Sequence, residues 1–188
     1  MPTNDLDSES STAGGEGLRF GTPSPRDGSA MWALADEVGL DLNSPYAYVM
    51  WGEHFADTSV VVHRDEQLVG FVTGFRLPAQ PTTLFVWQIG VSGSARRLGL
   101  GSRMLDHLVR RLGAHHVEAT VTPDNEASAA LFRSLGARHD APVSEDPLFP
   151  AELFPGGHDA EVRFRIGPLR EAAARTTPPA PTAPTITR

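Results

Sequence analysis

The segment "SARRLGLGSRML", residues 94–105, decides how this chain folds and what it binds. In it two arginines, Arg96 and Arg97, precede two glycines, Gly99 and Gly101, that are separated by one residue. An apolar, strand-like run ends just before the segment, and apolar residues at helical spacing follow it. The order strand, glycine loop, helix predicts an α/β protein whose ligand lies at this loop.

The glycine loop has the parts of an anion site. Gly99 and Gly101 let a ligand approach the backbone closely, because they carry no side chain. The first N–H groups of the following helix have no partner inside the helix, and the helix dipole favours an anion there. Arg96 and Arg97 add positive charge. These features predict a phosphate or pyrophosphate cradle.

Two other phosphate-binding loops are excluded by the residues that follow. A Walker loop needs Lys and then Ser or Thr after its last glycine, but Gly101 is followed by Ser102 and Arg103. A dinucleotide-binding fingerprint needs a third glycine where Met104 stands. A plain turn at the start of a helix remains an alternative.

Outward from this loop, periodicity predicts one mixed α/β domain over residues 18–170, with the order β-α-α-β-β-β-α-β-α-loop-β. Glycine is expected just past two of the helices, at Gly39 and Gly136. The predicted elements are strand 18–22, helices within 23–39 and 41–55, a hairpin within 58–77, strand 82–91, helix 101–113, strand 116–122, helix 125–136 and strand 159–167.

The strand that feeds the loop is apolar on both faces, as expected for a central strand covered on both sides. Strict alternation predicts one face made of Leu84, Val86, Gln88 and Gly90, and another made of Phe85, Trp87, Ile89 and Val91.

Composition limits the class of protein. The formal net charge is -7, all 16 basic residues are Arg, and no basic run is longer than a pair, which argues against nucleic acid as a partner. The absence of Cys excludes disulfides and thiolate chemistry. No apolar run approaches the ~20 residues of a membrane span, so we expect a cytoplasmic protein that does not bind membranes. Polar and Pro/Ala/Thr-rich composition predicts disordered tails at residues 1–17 and 171–188.

Two linked motifs resemble the GNAT superfamily of acetyltransferases. They are Arg96-x-x-Gly99-x-Gly101 after an apolar strand, and "TPDNEASAALFRSLG" at residues 122–136. The resemblance implies a mixed central sheet flanked by helices on both faces, acetyl-CoA as acetyl donor, and a homodimer, for which the last strand could supply the interface. It also implies that the cofactor contacts Ile89, Gly90, Val91, Arg96, Arg97, Gly99, Gly101, Ser102, Asn125, Ser128 and Phe132.

Within these contacts the resemblance implies particular roles. A backbone N–H at residues 89–91 faces the thioester oxygen, where the central strand splays from its neighbour. Asn125 hydrogen-bonds the pantetheine arm. Many members carry a Tyr at the position of Phe132 to protonate the leaving thiolate, so this sequence departs from the pattern. Phe132 is instead expected to pack against the pantetheine, and a water, a distant residue or no acid serves the leaving thiolate.

Four longer blocks resemble the branch of that superfamily that acetylates a diamino acid in ectoine biosynthesis. This resemblance implies transfer of an acetyl group to the γ-amine of L-2,4-diaminobutyrate by direct attack in a ternary complex. The alternatives are another small amine or amino acid as acceptor, and a catalytically inactive CoA-binding regulatory module. The blocks are residues 41–55, 69–91, 120–137 and 147–168.

An acceptor of this kind needs acidic and aromatic neighbours, since it carries two amines and one of them must lose a proton before attack. The candidates are Asp41, Trp87, His158 and Glu161. Each has a structural alternative: a helix cap for Asp41, the core for Trp87, an exposed loop for His158 and a solvated strand edge for Glu161. With the resemblance, Asp41 is expected to hold the non-reacting amine, and Glu161 with His158 to take the proton. No metal is predicted, because no histidine spacing fits one.

Overall fold

Seven strands and four helices make up the computed structural model, which describes residues 17–169. The strands are β1 (Leu18–Gly21), β2 (Val60–Arg64), β3 (Gln67–Leu77), β4 (Gln80–Val91), β5 (His116–Val121), β6 (Val143–Phe149) and β7 (Glu161–Ile166). The helices are α1 (Gly28–Glu37), α2 (Pro45–His54), α3 (Leu100–Leu112) and α4 (Glu126–Arg138). Apart from Gly17, the two predicted tails lie outside the described residues.

The strands form a single mixed sheet in the order β1-β2-β3-β4-β5-β7-β6. Only β4 and β5 run parallel, and every other neighbouring pair is antiparallel. The parallel pair needs a crossover connection, which the glycine loop and α3 provide. The glycine loop therefore leaves the carboxyl end of a strand in the middle of the sheet.

Helices cover both faces of this sheet, which confirms the predicted fold class. On one face α3 and α4 bury the larger core, with Met104, Leu105 and Leu108 fully inaccessible. On the other face α1 and α2 pack over β2 and β3, with Met31 and Phe71 fully inaccessible. Within residues 17–169, no helix is both long and apolar enough to cross a membrane.

A β-bulge in β4 makes the predicted alternation of this strand wrong. In the pairing with β3, Thr73 opposes Gln88 but Gly74 opposes Val86, so Trp87 is the extra residue. Trp87 and Gln88 consequently point to the same face: the Trp87 ring lies 4.2 Å from that of Trp51 in α2, and Gln88 accepts a hydrogen bond from α2. Beyond the bulge the faces exchange, and Ile89 and Val91 pack with the core under α3 and α4.

Gly136 does not end α4, contrary to the prediction. It lies in the last turn of the helix, and a Cβ there would overlap the side chain of Val143 and lie 3.0 Å from the Ala141 carbonyl oxygen. This glycine is therefore needed because the chain returns against the helix at β6. By contrast, Gly39 follows α1 with a φ of +73°, as expected for a residue that terminates a helix.

Strand β6 was predicted to be a loop. Its sequence, "VSEDPLF", is mostly exposed and contains Pro147, so it lacks the alternation of a half-buried strand. It pairs with β7 and forms the edge of the sheet. The last strand, β7, therefore has both edges occupied, and an interface formed by pairing strand edges would have to use β6 or β1.

Candidate active site

The parallel strands β4 and β5 separate at the point where β4 approaches the glycine loop. Their pairing runs from Thr83 opposite His116 to Val86 opposite Ala119 and then stops. Strand β5 continues along β7 as far as the pairing of Val121 with Val162. A wedge-shaped gap therefore opens between the ends of β4 and β5, as the resemblance implied.

Backbone direction decides which amides face this gap. The N–H of Ser92 donates to the Val69 carbonyl oxygen at 2.9 Å, and that of Gln88 donates to Thr73 Oγ1 at 3.2 Å, so both point to β3. Because successive amides of a strand alternate in direction, those of Ile89 and Val91 point to the gap. These two are the donors available to a thioester oxygen.

Gly90 lies between these two residues but has a different role from the one predicted. Its amide points toward β3, together with those of Gln88 and Ser92. A Cβ at this position would lie 2.6 Å from Cε1 of Phe71. Gly90 therefore makes room for a buried ring, and the N–H predicted at residues 89–91 is that of Ile89 or Val91 rather than that of Gly90.

The glycine loop presents open amides at the start of α3. Gly99 caps the helix in a left-handed conformation, with a φ of +61°, and its carbonyl oxygen accepts from the N–H of Arg103 at 3.0 Å. The amides of Leu100, Gly101 and Ser102 precede that first helical bond and have no carbonyl inside the helix.

Two arginines, a glycine and a hydroxyl lie around these amides. Arg96 and Arg97 are exposed, and Arg97 also has a left-handed φ of +70°. A Cβ at Gly101 would come only within 3.4 Å of Leu131, an ordinary contact, so packing does not require glycine there. The hydroxyl of Ser102 accepts from Nη1 of Arg138 at 3.3 Å. Open amides, a helix start and two nearby guanidinium groups fit a pyrophosphate.

Two of the predicted cofactor contacts lie at the start of α4. Oδ1 of Asn125 caps the helix by accepting from the N–H of Ser128 at 3.0 Å, which leaves the exposed amide nitrogen of Asn125 to donate to a ligand. Phe132 was expected to pack against the cofactor, but it is only 3 % exposed and lies in the core, with its ring 6.1 Å from that of Phe164. The structure thus corrects the assignment of Phe132 from a cofactor contact to a core residue.

Three of the four predicted acceptor-binding residues come together. Nε2 of His158 lies 3.6 Å from Oδ2 of Asp41 and 3.7 Å from Oε1 of Glu161. Asp41 belongs to the loop between α1 and α2, His158 to the segment before β7, and Glu161 begins β7. Asp41, which is more than a hundred positions away in the sequence, therefore lies beside the same imidazole as Glu161.

The two carboxylates have different surroundings. The side chain of Asp41 is 91 % exposed, whereas that of Glu161 is 16 % exposed. Within residues 17–169, Oε2 of Glu161 is buried without a hydrogen-bond partner. Burial raises the pKa of Glu161, while the hydroxyl of Thr120 and the imidazole of His158 act in the opposite direction. A carboxylate in this environment is a better proton acceptor than an exposed one.

The imidazole is oriented by its other nitrogen. Nδ1 of His158 lies 2.6 Å from the Asp159 carbonyl oxygen, which can only accept, so Nδ1 carries a hydrogen. This contact, followed by the nearby charges of Glu161 and Asp41, raises the pKa of His158. The ring also stacks on Phe154, with 4.4 Å between the centroids. Nε2 is thereby directed at the two carboxylates.

Trp87 lies on the same side of β4 as α2 and is 41 % exposed. Its contact with Trp51 makes it part of an aromatic cluster, and its exposed part remains available to a ligand. The ring partner of His158 is Phe154, whereas that of Trp87 is Trp51, and the neighbour of Trp87, Gln88, connects this part of β4 to Asp41.

Sequence analysis missed two polar residues that support the site. The amide nitrogen of Gln88 donates to the main-chain oxygen of Asp41 at 2.7 Å, and its amide oxygen accepts from the Tyr48 hydroxyl at 3.0 Å. The available signal was a polar residue, Gln88, inside an otherwise apolar strand. Among residues 17–169, no group of three or more His, Asp or Glu side chains could hold a metal ion.

One cavity, of about 440 Å³, lies outside this region. It is lined by residues of α2, of β3 and of the segments beside them, and includes neither the glycine loop nor the group around His158. This cavity is therefore separate from the predicted acceptor site.

These features agree with the comparisons to known proteins. The sequence model of the acetyltransferase (GNAT) family matches residues 29–137. The chain belongs to the GNAT family of acetyltransferases. Among its curated relatives, it is 47 % identical over 156 residues to the L-2,4-diaminobutyric acid acetyltransferase of Halalkalibacterium halodurans, covering 81 % of this chain and 82 % of the relative. It is 46 % identical over 161 residues to the enzyme of the same name from Streptomyces avermitilis, covering 82 % and 90 %.

A solved structure gives the same relationship. The diaminobutyrate acetyltransferase EctA from Paenibacillus lautus, in complex with its substrate L-2,4-diaminobutyric acid and coenzyme A, superimposes with a TM-score of 0.77 at 39 % identity. The match covers 80 % of this chain and 95 % of that protein. The ribosomal-protein-S18-alanine N-acetyltransferase from Escherichia coli shares the fold alone, with a TM-score of 0.63 at 16 % identity.

Proposed function

We propose that this protein transfers the acetyl group of acetyl-CoA to the γ-amine of L-2,4-diaminobutyrate. The observation that carries the proposal is the arrangement of Asp41, His158 and Glu161, in which two carboxylates flank one imidazole. Such a site suits a small cation that must lose a proton. The relatives that share between 39 % and 47 % of the aligned residues are named for this same acceptor.

Acetyl-CoA supplies an activated acetyl thioester. The open amides of Leu100, Gly101 and Ser102, with Arg96 and Arg97, hold its pyrophosphate. The amides of Ile89 and Val91 face the gap where the thioester lies and stabilise the negative charge that develops on its oxygen. A donor of this type contributes about 3 kcal/mol to transition-state stabilisation.

Glu161 is the proton acceptor. An alkyl ammonium has a pKa near ~10, so the attacking amine is almost entirely protonated at neutral pH and must lose a proton to react. The carboxylate of Glu161 is partly desolvated, and His158 links it to solvent and to Asp41. Glu161 first accepts a proton from the ammonium and releases it to solvent through His158. The neutral amine then forms the new C–N bond with the thioester carbon, the C–S bond breaks, the second proton of the nitrogen passes to Glu161, and CoA departs as the thiolate.

Asp41 binds the amine that does not react. A carboxylate stabilises a neighbouring ammonium and raises the pKa of that amine, which protects it from acetylation. The exposed face of Trp87 adds a cation–π contribution of about 0.5–2 kcal/mol. The two amines of the acceptor are thus treated differently because the two carboxylates have different exposure.

The proposal is tested with a panel of amines. Diaminobutyrate, ornithine, lysine, diaminopropionate and putrescine are each supplied with acetyl-CoA, thiol release is followed, and NMR locates the acetylated nitrogen. We expect diaminobutyrate to have the highest kcat/KM and to be acetylated at the γ-nitrogen. Equal values across the panel would favour a general small-amine acetyltransferase. CoA binding without thiol release would favour a regulatory module, which only the replacement of Tyr by Phe132 supports.

We further propose that the protein is a cytoplasmic homodimer. Acetyl-CoA is available inside the cell, and the sheet ends in an edge strand, β6, that carries the exposed apolar residues Leu148 and Phe149. Light scattering after size exclusion distinguishes one chain of 20.2 kDa from two.

A further inference from the structure

The side chain of Gln88 connects the central strand to the loop between α1 and α2. It lies at the bulge of β4 and is 9 % exposed. Its amide nitrogen donates to the main-chain oxygen of Asp41 at 2.7 Å, and its amide oxygen accepts from the hydroxyl of Tyr48 at 3.0 Å. Because Asp41 offers a carbonyl that can only accept, the orientation of the amide is fixed by its partners.

The loop that Gln88 reaches carries the Asp41 carboxylate and has no regular structure over residues 40–44. Its other side-chain anchor is the indole of Trp32, whose Nε1 donates to the Asn43 carbonyl oxygen at 3.1 Å. The carboxylate itself is exposed, and its contact with His158 is 3.6 Å long. The hydrogen bond from Gln88 therefore acts on the residue that holds the carboxylate, at its own peptide oxygen.

We propose that Gln88 is a positioning residue for the acceptor. By fixing the backbone at Asp41, it holds the carboxylate opposite His158 at the spacing that the second amine of the acceptor needs. The bulge makes this possible, since in a regular strand with the same residues Gln88 would lie on the same face as Val86, away from the loop. The inference rests on the proposed function, because it assigns the anchored carboxylate to the acceptor.

Burial energetics support a role beyond packing. An apolar residue of similar length could fill this position in an apolar strand without the cost of burying an amide. The amide is favourable only when both of its ends are satisfied, which requires the Tyr48 hydroxyl on one side and the loop carbonyl on the other. Tyr48, itself 3 % exposed, thus orients the amide that anchors Asp41.

The first test replaces Gln88→Met, which keeps the length of the side chain and removes both hydrogen bonds. We expect the KM for diaminobutyrate to rise about tenfold, the loss typical of one buried hydrogen bond, with the KM for acetyl-CoA unchanged within about twofold. Tyr48→Phe leaves the bond to Asp41 but frees the amide to reorient, so its effect on the same KM should be smaller, about threefold.

The matched control is Val109→Ala, which removes core volume in the last turn of α3, on the face of the sheet opposite to the loop between α1 and α2. It should lower the melting temperature to a similar extent as Gln88→Met without changing the KM for diaminobutyrate. This comparison separates a loss of stability from a loss of positioning.

A second variant gives a readout that a purely structural role would not move. In Gln88→Glu, the ionised carboxylate cannot donate to Asp41, but the protonated acid can. The ratio of the variant's KM for diaminobutyrate to that of the wild-type enzyme should therefore fall as pH is lowered toward the pKa of the buried acid, which burial raises. Gln88→Met should show a ratio independent of pH.

Each outcome decides one point. An unchanged KM for diaminobutyrate in Gln88→Met, an equal rise in both KM values, or a rise matched by Val109→Ala overturns the positioning role. If Gln88→Met does not fold, Tyr48→Phe and the pH dependence of Gln88→Glu carry the test. A wild-type enzyme that does not acetylate diaminobutyrate overturns the proposed function itself, and is recognised before any variant is made.

Discussion

Replacing Glu161→Gln separates the chemistry of the site from its binding of acetyl-CoA. The change removes a carboxylate whose Oε2 is buried without a partner, and it leaves the size and shape of the side chain almost unaltered. A general base typically contributes a factor of about 10²–10⁴ to the rate. We expect kcat to fall about 100-fold or more, because the general base is lost. Some activity should remain, because His158 is in contact with solvent and can accept protons slowly.

The assay follows thiol release at saturating diaminobutyrate and measures CoA affinity separately by calorimetry. CoA affinity should stay within about twofold of the wild-type value, since Glu161 begins β7 and the glycine loop follows β4. The wild-type rate should increase with pH through a pKa above the usual value for Glu, because burial raises the pKa of Glu161. A kcat within about threefold of wild type at saturating acceptor would remove Glu161 from the reaction.

The pH dependence of stability gives an independent check that the pKa of Glu161 is raised in the folded protein. A carboxyl group whose pKa is higher in the folded than in the unfolded state contributes stability below the unfolded pKa, and this contribution is lost as pH rises through the folded pKa. Glutamine does not titrate. The melting temperature of Glu161→Gln relative to wild type should therefore rise as pH increases above the usual pKa of a Glu side chain, about 4.3. The opposite trend would mean that Glu161 is stabilised as an anion.

Three further predictions concern the frame of the site. Gly90→Ala should destabilise the protein by about 1–3 kcal/mol, because the new Cβ would lie 2.6 Å from the Phe71 ring. The control Gly93→Ala should be close to neutral, because a Cβ there has no neighbour within 4 Å. Chemical denaturation measures the free energy of unfolding of both variants. Phe132→Tyr should not raise kcat and should cost about 1–3 kcal/mol, since it buries a hydroxyl in the core; a faster enzyme would show that the position reaches the thiolate. Arg96→Ala together with Arg97→Ala should weaken CoA binding more at low than at high salt, and a loss independent of salt would contradict a phosphate contact.

The sequence contained most of the fold because its periodicity is clear where elements are half-buried. The helix after the glycine loop, residues 100–112, has Met104, Leu105 and Leu108 at helical spacing, and all three are fully inaccessible. Strand β6 could not be recognised, because an exposed edge strand with a proline carries no alternation. The end of α4 was misplaced since glycine serves both as a helix terminator and as a site of close approach, and Gly136 has the second role.

The part of the site formed by residues close together in the sequence could be predicted. The glycine loop is one continuous segment, so its arginines, its glycines and the start of the following helix could be recognised from the sequence alone. The group of Asp41, His158 and Glu161 depends on three distant segments, and only the resemblance to a family connected them. The contribution of Gln88 was invisible because it needs the bulge, and a bulge arises from the register of two strands rather than from one.

Gly74 shows how a residue outside the site governs the identity of its donors. A Cβ there would lie 2.7 Å from the Phe85 carbonyl oxygen, so only glycine accommodates the supernumerary residue of the opposing strand. If β4 instead ran as a regular strand with the same residues, the peptide groups of Gln88 and Gly90 would replace those of Ile89 and Val91 beside the cofactor. Loss of Trp87 alone would not cause this exchange, because Gln88 would then follow Val86 in normal alternation and keep its partner Thr73. The tolerance of one glycine for an inserted residue thus decides which two amides the enzyme can use.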